Sequence, residues 1–104
     1  MSNIAQAYAS LLSRLLEGDG RASPGQRRAA FDNLGLKSPV SALVNKVAKR
    51  ADDVNADDIM ASTKSGLSED QIFELVVCAA VGEASREHNA ALAALDAASV
   101  RTKE

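Results

Sequence analysis

Whatever core this chain builds has to come from small and aliphatic side chains. Alanine fills 20 of its 104 positions, while the aromatic residues are only Tyr8, Phe31 and Phe73. Alanine is the best helix former and loses no side-chain entropy on folding, so such a core favours helix packed on helix over sheet. At this length one domain is expected, since single domains cluster near ~100–150 residues. Apolar residues at 46% and charged residues at 25% are those of a globular chain and exclude wholesale disorder.

The apolar spacing then divides the chain into five helices. Ile4, Tyr8, Leu11, Leu12, Leu15 and Leu16 form one amphipathic stripe, ended by Gly18. Ser23, Pro24 and Gln26 supply a cap, a first-turn proline and a capping box for a short second helix carrying Ala30, Phe31 and Leu34 and stopping at Gly35. Ser38-Pro39 repeats the start signal before Val40, Leu43, Val44, Val47 and Ala51, with this third helix fading near Asp52. Asn55 caps a fourth helix whose first turn holds Asp57 and Asp58, on the side where the helix dipole favours negative charge. Ser68 and Gln71 form a second capping box, and Leu67 is placed to staple onto Ile72. They open a long fifth helix expected over 69–97, with residues 98–104 as a frayed tail. No segment has the period of a strand. The expectation is a single all-α domain over 1–104 with one long, central C-terminal helix.

Net charge and targeting signals narrow the partners. Twelve basic against fourteen acidic residues give −2, which implies no phosphate-neutralising surface. The N-terminus lacks a basic stretch followed by an apolar run, and the longest apolar run, residues 75–82, is far short of the ~20 residues that span a bilayer. The expectations are a cytoplasmic chain with a reduced thiol, no nucleic acid and no membrane.

Chemistry-bearing residues are few. Asp53, Asn55 and Asp57 match the first, third and fifth positions of a calcium loop, but Asp58 stands where glycine is needed and Lys64 where a bidentate Glu should close the shell. Helix-start acids account for Asp52, Asp53, Asp57 and Asp58 without a metal. Lys46, Lys49 and Arg50 share a helical face, and with Arg27 and Arg28 raise a basic-patch reading; Asp52 and Asp53 follow at once and would repel phosphate. Cys78 and His88 are the lone thiol and imidazole. Ten residues apart on one helix they are separated by ~15 Å of rise and ~80° of rotation, so they cannot meet within a chain. Glu74 lies one turn before Cys78 and disfavours a thiolate, which makes Cys78 an inert core residue. His88 continues the stripe of Val81, Leu92 and Leu95 and is expected in a core or interface. No catalytic, cofactor-binding or metal-binding residue is assigned.

Residues 72–81 are apolar nearly all round, more than four shorter helices readily cover. The expected consequence is a homo-oligomer in which Val77, Val81, Gly82 and Leu92 are partly covered by another subunit. Gly82, beside Ala79, Ala80 and Ala84, admits a close helix crossing, either within the chain or between subunits.

Gly66-Leu67-Ser68-Glu69-Asp70-Gln71-Ile72-Phe73-Glu74-Leu75, followed by Val76-Val77-Cys78-Ala79-Ala80-Val81-Gly82, resembles a segment of the carboxymuconolactone decarboxylase and alkylhydroperoxidase D family. The resemblance extends back through residues 52–58 and Ser38-Pro39. It implies an all-helical fold that assembles as dimers, trimers or hexamers. The redox members carry Cys-x-x-Cys-x-x-x-His before that glycine; here those positions fall on Ala51, Val54 and Asp58, and the upstream glutamate falls near Pro39. The resemblance thus implies the fold and the oligomeric habit without the thiol chemistry. The expected function is non-catalytic, through self-association or partner binding. The alternatives are a family enzyme, either a lactone decarboxylase-like acid/base catalyst or a weak thiol peroxidase, and an unrelated helical adaptor.

Overall fold

The computed structural model describes residues 2–103, with side chains from 3 to 100. Five α-helices follow one another: α1 (Ser2–Glu17), α2 (Pro24–Asp32), α3 (Val40–Lys49), α4 (Ala56–Lys64) and α5 (Glu69–Lys103), with a 3₁₀ turn at Ala51–Asp53. There is no strand among the described residues.

The starts of the helices follow local chemistry. Ser23 Oγ accepts from the Gln26 amide while the Gln26 side chain accepts from the Ser23 amide, closing the box that starts α2. Ser68 and Gln71 do the same for α5. Asn55 Oδ1 accepts from the amides of Asp57 and Asp58, and Asp58 returns a bond to the Asn55 amide. The expected Ser38 cap is not formed. Pro39 precedes α3 and no side chain caps it, leaving the first turn to the backbone bonds from Ser41 to Lys37 and from Leu43 to Pro39.

Two ends differ from the sequence reading. α2 stops before Gly35, at Asn33, whose left-handed conformation (φ 55°) lets its amide reach back to Ala29 and Ala30. Asparagine tolerates that conformation better than most non-glycine residues, so it ends the helix ahead of the glycine and leaves Leu34 exposed. α5 runs to Lys103 rather than Ala97, so the helix persists where a frayed tail is expected; Glu104 lies outside the described residues. Beyond Gly82 the chain has neither glycine nor proline, and alanine dominates, so nothing in the sequence stops the helix.

α5 is the axis of the molecule. Its 35 residues correspond to ~52 Å of rise in a body 57 Å long and 28 by 21 Å across. α2 and α3 pack along its first half with α4 beside them, and the core consists of Leu16, Ala22, Ala30, Val40, Val44, Leu75, Cys78 and Ala79. The α2–α5 crossing depends on Gly82: a Cβ there would lie 1.9 Å from the Phe31 carbonyl oxygen. The close crossing that Gly82 permits is therefore within the chain, not between subunits. Arg86 locks it by donating to the same Phe31 carbonyl at 2.6 Å and to Glu83 at 3.0 Å.

α1 runs antiparallel to α5. The Cys78 Sγ lies 4.0 Å from the Leu15 carbonyl, and about two turns further on Tyr8 hydrogen-bonds Ser85. Glu74 fixes the turn into α2 by accepting from the amides of Arg21 and Ala22 at 2.8–3.0 Å. The buried Arg27 donates to the Leu15 carbonyl at the end of α1.

Candidate functional site

Several of the charged residues singled out in the sequence are held in ion pairs. Lys46 pairs with Asp58 at 3.0 Å, Lys49 with Glu83 at 3.1 Å, and Arg50 with Asp53 at 3.6 Å. The basic face of α3 is thus met by carboxylates from three elements, and the acids around α4 cap helices and hold cations. The Asn55 amide and the Lys46 ammonium keep the Asp58 carboxyl below its ordinary range, and Arg86 with Lys49 does so for Glu83. No three His, Cys, Asp or Glu side chains among the described residues stand together as a metal site.

Cys78 is fully buried in the core, and burial raises its thiol pKa. Arg27 pulls the other way and Glu74 adds to the rise, so the thiol is held protonated. His88, expected in a core or an interface, is exposed and does not lie in the core of the chain. The thiol and imidazole therefore sit in different environments on one helix. Two shallow depressions of about 400 Å³ flank the connection from α2 to α3. Lys37 is the one titratable side chain lining either of them, so they bring together no acid and base.

What the fold does leave open is one face of the α1–α5 pair. At about 100° per residue, Leu75, Ala79 and Gly82 point to the α2–α3 side of α5, and all three are buried. Phe73, Val77, Ala80, Ala84, Ala91 and Leu95 lie on the opposite side, and all but the half-buried Val77 are exposed. Phe73 is 69% and Leu95 64% exposed. On α1, Ile4 and Leu11 are also exposed, at 71% and 57%. Charge is scarce here: residues 2–13 carry none and residues 89–100 carry only Asp96, in a chain that is 25% charged. Exposed Phe73, Leu95, Ile4 and Leu11 with alanines between them have the composition of an interface centre.

Of the residues expected at an interface, Val77 is on this face, Val81 and Leu92 lie along its α1 edge, and Gly82 is on the far side under α2. Phe73, Ala84 and Leu95 were not separated from the core by sequence; the signal was a spacing of four and three residues running through alanines, which reads equally as core. No protein family, curated protein or solved structure matches the chain.

Proposed function

We propose that this is a non-catalytic helical protein that works by association, docking the apolar α1–α5 face against helices of another polypeptide. The observation that carries this reading is the face itself. Four large hydrophobic side chains, Phe73, Leu95, Ile4 and Leu11, and three alanines stand exposed on α5 and α1. The resemblance to the carboxymuconolactone decarboxylase and alkylhydroperoxidase D family, whose members assemble, supports the same reading. Burial of the only thiol weighs against the thiol peroxidase alternative, because attack on a peroxide needs an accessible thiolate.

Sedimentation equilibrium tests the proposal. The wild type should show a mass above 10.9 kDa at micromolar concentration, and Leu11→Lys should return it to the monomer with helical circular dichroism intact. A wild type that is monomeric throughout, or an association indifferent to Leu11→Lys, would count against the face as the working surface.

A further inference from the structure

α1 is thinly anchored for its length, and we infer that it is a strap: it swings off α5 as a unit about the Gly18–Gly20 turn while the rest of the chain stays folded, and so controls access to the flank of α5 beneath it. Of its described side chains only Leu16 is buried, with Leu12 and Leu15 half-buried and the others exposed. α3, at ten residues against sixteen, buries Val40, Leu43 and Val44. Among the described residues no ion pair joins α1 to the rest of the molecule. Its polar ties to other helices are Tyr8 with Ser85, at a tyrosine 44% exposed, and the Leu15 carbonyl, which accepts from Arg27 and lies against the Cys78 thiol.

The turn that follows is held independently of α1. Glu74 accepts from the amides of Arg21 and Ala22, and Gln71 donates to the Arg21 carbonyl at 3.3 Å, so α5 grips this turn from two positions. Ala22 is itself buried. Between that grip and the last turn of α1 stand two glycines in three residues, Gly18 and Gly20, whose backbone has the widest choice of conformations. On the other side of Cys78, α2 is fixed by the Gly82 crossing and by Arg86 on the Phe31 carbonyl. Motion is therefore confined to α1. An element with few buried apolar contacts is one that opens below global unfolding. Opening bares an edge of α5 that runs from Cys78 through Val81 to Ser85 at steps of three and four, together with Leu12, Leu15 and Leu16 of α1. Cys78 lies under the end nearest the pivot and is fully buried, so a reagent reaches it only once Leu15 and Leu16 have lifted.

Cys78 is the chain's one thiol and reports the motion. Its labelling by dithiobis(nitrobenzoate) on the full chain is followed through a urea series and set against unfolding read by circular dichroism. At low urea, labelling should pass through an open form at least ~10-fold more populated than the unfolded chain, with a weaker urea dependence because less surface is exposed. Tyr8→Phe should speed it about fivefold, the weight of one hydrogen bond. Asn55→Ala, which removes the cap of α4, should lower the urea midpoint and leave the low-urea rate as in the wild type. Should that variant not fold, the wild-type urea dependence decides by itself. Labelling that tracks global unfolding in the wild type would overturn the strap, as would a thiol that reacts as fast as a free cysteine, one that ignores Tyr8→Phe, or one that Asn55→Ala accelerates at low urea. The inference stands apart from the association reading, since the labelling is read on dilute chain and needs no partner.

Discussion

Glu74 shows how one side chain can hold two elements together. Its carboxylate accepts from two consecutive amides in the turn between α1 and α2, and those contacts, with Arg27 and Arg21 nearby, keep its pKa below the ordinary value despite partial desolvation. Glu74→Ala leaves both amides without their acceptor and should cost about 1–2 kcal/mol in urea denaturation. A loss indistinguishable from zero would mean that water replaces the carboxylate freely. Gly82 is the second decisive position. Gly82→Ala gains roughly 1 kcal/mol of helix propensity, yet the added carbon meets the Phe31 carbonyl. A net destabilisation of about 2–3 kcal/mol is expected, and an unchanged or raised melting temperature would show that α2 yields without cost. Neither role could be read from sequence. Glu74 looked like a neighbour of Cys78, and Gly82 was equally consistent with a crossing inside the chain or between chains, because spacing along a helix does not say which segment lies across from it.

At the scale of elements, carboxylates tie the helices to one another, and this makes stability depend on pH. Asp58, Glu74 and Glu83 all have folded-state pKa values below their ordinary ones. The unfolded chain therefore binds protons more readily in acid. The contribution of these groups is present above the unfolded carboxylate range near ~4 and is lost as pH falls through the lowered folded values. The melting temperature should be level near neutrality and drop below about pH 4; a flat profile down to pH 3 would show that these pairs are solvent-screened to insignificance. The helices themselves were readable from sequence because their starts are local: the Ser23–Gln26, Asn55–Asp58 and Ser68–Gln71 reciprocal bonds each lie within four residues. Their ends were less so. Asn33 ended α2 ahead of Gly35, and no residue after Gly82 offered a stop, so α5 ran on to Lys103.

The whole molecule is a packed base with an extended limb. α2, α3 and α4 cover the first half of α5, while the second half has only the start of α1 beside it, and residues 87–100 are exposed throughout. Apolar periodicity marked α5 as needing more cover than the chain supplies; which side lacked it became visible only once α2 was seen against Gly82. The limb over residues 87–100 has no buried side chain of its own, and association on the α1–α5 face would give it cover. Amide hydrogen exchange across residues 88–100, followed from low to high protein concentration, tests this most directly. If the α1–α5 face is an association surface, protection of these amides should rise steeply with concentration while the Leu75–Cys78 core stays unchanged. Protection of residues 88–100 that is the same at every concentration would contradict it.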